Sequence, residues 1–267
     1  MSVTYGFIGC GNMGQAIIGG IISSGLAQPS DIVACDPAQA HLDAMSEQYG
    51  IRTSTDNKQA AAADVLILSV KPYLYEVVIP GIRDTVSENT IVVMIAAGQT
   101  ISVNQERFGK PVKLVRVMPN TPALVGEAMS AVTFTSLLTE DDQAIVLNML
   151  RSFGKAEVVT EDKMDVVTAI SGSSPAYVDM FIEAMADGAV MYGMPRAQAY
   201  TFAAQAVLGS AKMVLETGKH PGILKDNVCS PGGTTIAAVA SLERSGFRAA
   251  VIDAIEACYD KSKEMSK

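Results

Sequence analysis

Short apolar runs rich in β-branched residues alternate with longer amphipathic stretches through the first half of the chain. Gly, Pro, Asn or Asp lies at the ends of many of these runs, which is typical of strands. The pattern predicts strands at residues 3–8, 31–35, 65–70, 91–95, 112–117 and 129–134. Strands that alternate with helices in this way favour an α/β fold with a parallel sheet covered by helices.

From about Glu161 the strand pattern stops and helical spacing replaces it. Helices are predicted at residues 162–170, 175–192, 196–217, 234–244 and 247–263. Pro175 suits a first helical turn, and Gly193 and Gly218 suit helix C-termini. The boundary is therefore predicted near Thr160, with an N-terminal domain of residues 1–160 and a C-terminal all-helical domain of residues 161–267.

The predicted helices at 175–192 and 196–217 carry Ala and Met on nearly every face. A helix that is apolar all round must be buried, and a segment of about a hundred residues has too little interior to bury several such helices. We therefore expect a second subunit to cover them. A compact monomeric bundle packed against the first domain is the alternative.

Composition excludes several classes of protein. The chain has 267 residues, of which 49% are hydrophobic, and 20 basic against 28 acidic side chains give a net charge of −8. Without a basic tract, we expect no nucleic acid partner and no anionic membrane surface. The N-terminus lacks the features of a secretory signal, and no apolar run reaches the roughly 18 residues of a membrane span. The four cysteines form no CxxC pair and lie far from histidine in the sequence, so a reduced, cytoplasmic protein without a metal site is expected.

The segment "GFIGCGNMG" places Gly9, Gly11 and Gly14 in GxGxxG spacing directly after the first strand. These glycines permit a tight turn, close approach of the backbone to a pyrophosphate and close packing of helix on strand. Asp36 follows the second strand, 22 residues beyond Gly14, where a carboxylate is typical of this motif. The pattern predicts a Rossmann domain that binds NADPH or NADH. Its first loop supplies Ile8, Gly9, Cys10, Gly11, Asn12, Met13 and Gly14.

Asp36 also bears on the choice between the two cofactors. A carboxylate at this position accepts hydrogen bonds from a ribose hydroxyl and repels a 2′-phosphate, so it favours NADH. The alternative is that Asp36, which precedes Pro37, only caps the following helix.

Three further segments follow predicted strands: "SVKP", "AAG" and "MPNTP". The carboxyl ends of strands in an open α/β sheet are where ligands bind. Lys71 in the first segment either holds a phosphate or stays solvated. Asn120 in the third either orients the nicotinamide amide or caps a turn.

These segments, together with "SGSSPAY" and "HPGILKDNVCSPGGTTIAAVASLE", resemble the pyrroline-5-carboxylate reductase family. The resemblance runs nearly from end to end, and "LKDNVCSPGGTT" is its most specific part. It implies a Rossmann domain followed by a helical domain that interlocks with a partner, and often a larger assembly of dimers. It also implies reduction of 1-pyrroline-5-carboxylate to L-proline with NADPH or NADH, the last step of proline biosynthesis. One departure is Ser174, where the family usually has glycine, which bears on the backbone path of that turn.

The resemblance also implies roles for individual residues. Matching positions imply cofactor contacts at Asn57, Ser69, Val70, Lys71, Pro72, Ala96, Ala97 and Gly98, with Asn227 near both the cofactor and the second glycine turn. This second glycine turn is the polar stretch "NVCSPGGTT", Asn227 to Thr235, which opens onto an apolar run. Substrate contacts are implied at Ser230, Gly232, Gly233, Thr234 and Thr235.

The second glycine turn then has a physical explanation. The substrate carries one carboxylate, and a helix N-terminus with free amides at Gly232, Gly233 and Thr234 binds an anion without arginine. Ser230 would add a hydroxyl, and Thr235 would place its hydroxyl at the ring nitrogen. The alternative is a helix cap with no ligand.

Little acid–base machinery is expected, because an imine is more basic than a carbonyl and accepts hydride readily once protonated. His41, on a surface helix, and His220, in a turn before Pro221, have no neighbouring acid or nucleophile to form a relay, and we expect structural or solvated roles for both. Positioning of the reactants then supplies most of the catalysis, and Thr235 is the one catalytic candidate.

Two other functions remain to be considered. A β-hydroxyacid dehydrogenase needs a base, usually a lysine on the helix after a glycine turn, but "SSPAYVDMFIEAMADGA" contains no lysine. A non-catalytic dinucleotide sensor would retain the fold without the chemistry.

Overall fold

The computed structural model describes residues 2–265, which form two compact units. The first comprises the chain up to Ser173 together with the residues from Cys258 onward, and the second comprises Ser174–Ala257. Met1 and residues 266–267, the outer ends of the two predicted domains, lie outside the described residues. The division at Ser173 assigns the short helical elements after Glu161 to the first unit. A domain boundary near Thr160 stays a prediction.

An eight-stranded sheet forms the centre of the first unit. Its strand order is β3-β2-β1-β4-β5-β6-β7-β8, so the chain adds β2 and β3 on one side of β1 and adds β4 and the later strands on the other side. The strands are β1 Tyr5–Ile8, β2 Ile32–Cys35, β3 Arg52–Ser54, β4 Val65–Leu68, β5 Ile91–Met94, β6 Lys113–Met118, β7 Ala128–Phe134 and β8 Gly154–Val158. The sequence pattern predicted neither β3 nor β8, both of which expose polar or small residues.

The sheet is parallel, as predicted, except at one pair of strands. Strands β1 to β6 are parallel, but β7 pairs antiparallel with β6, and β8 then pairs parallel with β7. The connection from β6 to β7 holds only a short 3₁₀ turn, Thr121–Val125, and is too short for a parallel crossover.

Helices cover both faces of the sheet, as the continuous apolar runs of the strands require. Neighbouring residues of a strand enter different apolar clusters: Ile67 joins one and Leu66 the other. The helices of this unit are α1 Asn12–Ser23, α2 Gln39–Tyr49, α3 Asn57–Ala61, α4 Tyr75–Ile82, α5 Ile101–Phe108, α6 Glu140–Arg151 and α7 Met164–Val167. A π-helical turn, Thr168–Gly172, follows α7.

The second unit is entirely helical. It contains α8 Ser174–Met191, α9 Arg196–Thr217, α10 Pro221–Val228, α11 Thr234–Arg244 and the start of α12 Phe247–Met265. Among its described residues only Ala186, Ala199 and Ala203 are buried, whereas Met191, Phe202 and Leu215 are largely exposed in the single chain. This distribution agrees with the expectation that these helices need further cover.

Helix α10 was not predicted. The sequence was interpreted as a turn at His220 and Pro221, and as a second glycine turn that starts at Asn227. Instead, the imidazole Nδ1 of His220 accepts a hydrogen bond from the Gly222 N–H at 3.0 Å, and Pro221 occupies the first helical position. These are recognised signals of a helix start.

No helix within residues 2–265 has both the length and the apolar character that crossing a membrane requires. All four cysteines are free thiols. Residues 2–265 contain no cluster of three or more His, Cys, Asp or Glu side chains suited to a metal ion.

Candidate active site

A cleft of about 750 Å³ opens at the carboxyl ends of the strands in the first unit. Its position matches the general site of ligands in open α/β sheets, at the point where the strand order reverses. Its volume lies within the range of small-molecule sites, roughly 300 to 1,000 Å³. The predicted cofactor residues that line it are Gly9, Gly11, Asn12, Met13, Asp36, Ser69, Val70, Lys71, Pro72, Ala96, Ala97 and Asn120.

Helix α1 points its N-terminus into this cleft. It begins at Asn12, so Gly14 lies within its first turn. Gly11 is the N-cap and offers no side-chain hydrogen bond, which leaves the first backbone N–H groups of the helix available. Available N–H groups at a helix N-terminus favour a phosphate.

The three glycines of the motif have different surroundings. Gly9 has a φ of +100°, and a Cβ built on it would lie 2.7 Å from the carbonyl oxygen of Ser69. A Cβ on Gly14 would lie 2.7 Å from the carbonyl oxygen of Gly9, whereas one on Gly11 would meet nothing within 4 Å. The first two glycines thus permit the turn and the packing, and Gly11 leaves open space for a ligand. The residues present fit a dinucleotide pyrophosphate.

Hydrogen bonds fix the loop from several directions. The N–H of Gly9 donates to the carbonyl of Cys35 at 2.8 Å, and the N–H of Cys10 donates to Oδ2 of Asp36 at 2.9 Å. The hydroxyl of Ser69 donates to the carbonyl of Gly9 at 2.6 Å, and the amide of Gln15 donates to the carbonyl of Cys10 at 2.9 Å. Strands β1, β2 and β4 therefore position the loop together.

Asp36 is almost fully buried and organises the end of β2. Besides Cys10, its carboxylate accepts the Ala38 N–H at 2.9 Å and lies 3.2 Å from Nδ1 of His41, both at Oδ1. Because a carboxylate has about four acceptor positions, one remains open, on Oδ2. The alternative role, a cap on the following helix, is not what the structure shows, because the N-cap of α2 is Ala38 and no side chain caps it. A bond from Asp36 to a ribose hydroxyl remains a prediction.

Two cationic or potentially cationic side chains line the cleft. Lys71 is exposed, and its ammonium group has no hydrogen-bond or ionic partner in the described part of the chain. The side chain of His41 is 56% exposed, and its second ring nitrogen, Nε2, is likewise without a partner there. His41 was expected to be structural or solvated on a surface helix with no neighbouring acid, but it lies beside Asp36 and lines the cleft.

Asn120 connects three elements at the end of β6. Its Oδ1 accepts the Met129 N–H at 2.9 Å, and its Nδ2 donates to the carbonyl of Ser171 at 3.2 Å. The side chain therefore links the start of β7 to the π-helical turn, whose Gly172 also lines the cleft. Turns of this kind often occur at functional sites. The predicted contact of Asn120 with the nicotinamide amide remains a prediction.

Some predicted cofactor residues do not line this cleft. Ile8 and Cys10 are buried, Gly14 packs behind the loop, and Asn57 begins α3. Burial, followed by the nearby Asp36, raises the pKa of the Cys10 thiol to about 12, so this thiol stays protonated. Gly98 has a φ of +73°, and a Cβ there would lie 2.8 Å from the carbonyl oxygen of Met265. These five residues would contribute to cofactor binding through their backbone or by supporting neighbouring residues.

Other lining residues were missed from the sequence. Strand-end reasoning extended by one residue would have included Pro37 and Ile95, whereas Met118, Pro119 and Thr121 belong to the segment "MPNTP" that the sequence had already singled out. Ala16, Leu74, Leu124 and Gly172 reach the cleft from helices and turns, for which the strand pattern gives no signal.

The second glycine turn lies in the second unit, at the start of α11. Gly233 is the N-cap and offers no side-chain hydrogen bond, and Gly232 has a φ of +67°. The N–H of Gly233 donates to the carbonyl of Ser230 at 3.0 Å. The expectation of a free amide at Gly233 was therefore wrong. The available amides are instead those of the first helical turn, Thr234, Thr235 and Ile236.

The side chains around this turn are accessible. Ser230 and Thr234 are exposed, and Thr235 is half-buried. A Cβ on Gly233 would clash with the hydroxyl oxygen of Ser230, which explains the second glycine. Asn227 is exposed in the last turn of α10 and does not belong to the glycine turn itself.

Comparison with known proteins gives a consistent result over the whole chain. A family model for pyrroline-5-carboxylate reductase dimerisation matches residues 161–265, and one for NADP oxidoreductase, coenzyme F420-dependent, matches residues 4–98. The pyrroline-5-carboxylate reductase of Escherichia coli is 53% identical over the full length of both chains.

Solved structures agree with this. A pyrroline-5-carboxylate reductase from Coxiella burnetii is 34% identical, with a TM-score of 0.92 and 100% of both chains covered. The Plasmodium falciparum enzyme with NADP bound is 32% identical, with a TM-score of 0.91 over 99% of this chain and 98% of that one. The present chain belongs to the pyrroline-5-carboxylate reductase family.

Proposed function

We propose that this protein reduces the C=N bond of 1-pyrroline-5-carboxylate to give L-proline, with NADPH or NADH as the reductant. The observation that carries the proposal is that one chain of this family has two separate glycine turns at helix N-termini. The first opens into a cleft of dinucleotide size, and the second carries accessible serine and threonine hydroxyls.

The cleft of the first unit holds the dinucleotide in this proposal. The N-terminus of α1 and the open space at Gly11 accommodate the pyrophosphate, while Lys71 supplies a positive charge. The nicotinamide of the bound dinucleotide supplies the hydride. Ser69 and Asn120 keep the cleft in shape through the hydrogen bonds that they donate to backbone carbonyls.

The second glycine turn holds the substrate. The amides of Thr234, Thr235 and Ile236, with the Ser230 hydroxyl, bind its carboxylate. Gly232 and Gly233 permit the backbone path, because a side chain at either position would be strained or would clash. The hydroxyl of Thr235 hydrogen-bonds the ring nitrogen and orients the C=N bond, and Asn227 supports the turn from the end of α10.

The helical unit makes the protein a homodimer. The exposed apolar side chains of α8 and α9 and the match to a dimerisation family support this assignment. Association of dimers into a larger assembly and a cytoplasmic location belong to the same proposal. A functional boundary near Thr160 is supported by the start of the dimerisation match at residue 161.

The direct test is to mix the purified protein with 1-pyrroline-5-carboxylate and each reduced dinucleotide. We expect loss of the dinucleotide absorbance and formation of an equal amount of proline. Binding of dinucleotide without turnover would contradict the proposal and favour a non-catalytic sensor. Light scattering of the same sample distinguishes a dimer from a larger assembly.

A further inference from the structure

The end of β2 presents two side chains of opposite character to the dinucleotide cleft. Asp36 follows the strand directly, and His41 lies in the first turn of α2. In dinucleotide-binding domains this strand end receives the adenosine ribose, where NAD and NADP differ by the 2′-phosphate. The following inference rests on the proposed dinucleotide site.

The two side chains form one unit. Nδ1 of His41 lies 3.2 Å from Oδ1 of Asp36, and because the ionised carboxylate only accepts, the ring nitrogen donates. The same carboxylate binds the N–H groups of Cys10 and Ala38, so it is fixed to the glycine loop and to the start of α2. The imidazole is thereby oriented by Asp36 while more than half of its surface stays accessible.

The second ring nitrogen of His41, Nε2, determines which ligand group the imidazole can bind. With Nδ1 bonded to Asp36, Nε2 has no partner among residues 2–265 and is available to a ligand in the cleft. A protonated imidazole donates a charge-assisted hydrogen bond to a phosphate oxygen. Asp36 alone would repel a 2′-phosphate at this position.

We propose that His41, held by Asp36, is the residue that allows the cleft to accept a 2′-phosphate and so sets the preference between NADPH and NADH. Lys71 does not take this role, because it follows β4, on the other side of β1 from β2. Strands two positions apart in a sheet are separated by roughly 10 Å. Lys71 is therefore assigned to the part of the dinucleotide that both cofactors share.

The test is isothermal titration of the intact protein with NADP⁺ and with NAD⁺. His41→Ala should raise the Kd for NADP⁺ about 10-fold, the effect of losing one hydrogen bond to a charged group, and leave the Kd for NAD⁺ within about twofold. His41→Arg, which keeps a positive charge, should retain NADP⁺ binding. Lys71→Ala should weaken both dinucleotides equally, and His220→Ala, in the second unit, should change neither.

The ratio of the two dissociation constants separates recognition from structure. A general disturbance of the loop through Asp36 would weaken both dinucleotides together, and this result in His41→Ala would overturn the inference. An unchanged ratio in His41→Ala, or a wild-type protein that binds NAD⁺ but not NADP⁺, would overturn it as well. Absence of binding by either dinucleotide would instead overturn the proposed function, and the inference with it.

Discussion

The two glycine turns of this chain share one design but are held in place differently. Each places glycine at the N-cap of a helix and leaves the first N–H groups available. The first turn is fixed by hydrogen bonds to Cys35, Asp36 and Ser69, which lie at the ends of β2 and β4 or directly after them. The second closes on itself, through the bond from the Gly233 N–H to the carbonyl of Ser230.

The same contrast extends to the units that carry the turns. The first unit buries an apolar layer on each face of its sheet, whereas the second leaves most of its large apolar side chains exposed in the single chain. A turn on a complete core is positioned by that core. A turn in a unit whose core is incomplete depends on local hydrogen bonds and on the subunit that covers the helices of that unit.

The largest expected effect comes from preventing a second subunit from covering the helices of the second unit. Leu208 and Leu215 are seven residues apart on α9, on one face, and are 55% and 68% exposed. Changing both to Glu should raise the dimer dissociation constant about 1,000-fold, since each buried leucine contributes roughly 2 kcal/mol. Sedimentation at decreasing protein concentration measures the change.

The matched control is Val77→Glu on α4 of the first unit, a residue that is 68% exposed. It should leave the dissociation constant unchanged. An equal response in both proteins would mean that the exposed side chains of the two units do not differ in role.

The next effect concerns chemistry at the second turn. Thr235→Ala should lower turnover of 1-pyrroline-5-carboxylate by 10- to 1,000-fold, the scale of losing one positioned hydrogen-bonding group. Thr235→Ser should recover most of the rate, and dinucleotide binding should be unaffected in both variants. Unchanged steady-state kinetics in Thr235→Ala would exclude this residue from the mechanism.

A glycine pair tests the difference in support between the two turns. Gly9→Ala combines a positive φ with a contact 2.7 Å from the Ser69 carbonyl, and should cost about 3 kcal/mol of unfolding free energy and weaken dinucleotide binding. Gly232→Ala has the positive φ but open space around it, and should cost about 1 kcal/mol. Urea unfolding measures both, and equal losses would contradict the comparison.

The first turn could be predicted from the sequence because its motif, its strand and Asp36 are close along the chain. The sequence could not predict hydrogen-bond and packing partners that come from distant segments of the chain. Asn120 is bonded to Met129 and Ser171, and Gly98 packs against Met265, pairings that no local pattern indicates. His41 was set aside because no acid adjoins it in sequence, although the fold places it beside Asp36.

The α10 helix was missed for a different reason. It has only eight residues, too few for a helical pattern to stand out between the turn at His220 and the second glycine turn. The free amide was likewise misplaced, because the turn at Ser230 uses the Gly233 N–H before the helix begins. Short-range backbone bonds of this kind depend on φ and ψ angles that composition does not determine.

The smallest predicted effect compares an ion pair in each unit. Burial tends to raise the pKa of Asp142, but hydrogen bonds from Lys113 and Thr139 outweigh it and hold the pKa below its ordinary value. The ionised form is thus favoured in the folded state, and this stabilisation is present above about pH 4 and lost as pH falls through the lowered pKa. Asp142→Asn should therefore cost about 1 kcal/mol near neutral pH, the worth of the capping box, and progressively less below pH 4.

The matched variant in the second unit is Asp187→Asn. Its partner Arg196 lies 2.5 Å away, but both side chains are about half exposed, and such pairs contribute little. Urea unfolding at neutral and acidic pH should show no measurable change for this variant. A loss as large as that of Asp142→Asn would mean that the second unit, like the first, is held by its own polar contacts, and would remove the reason for assigning its stability to a partner subunit.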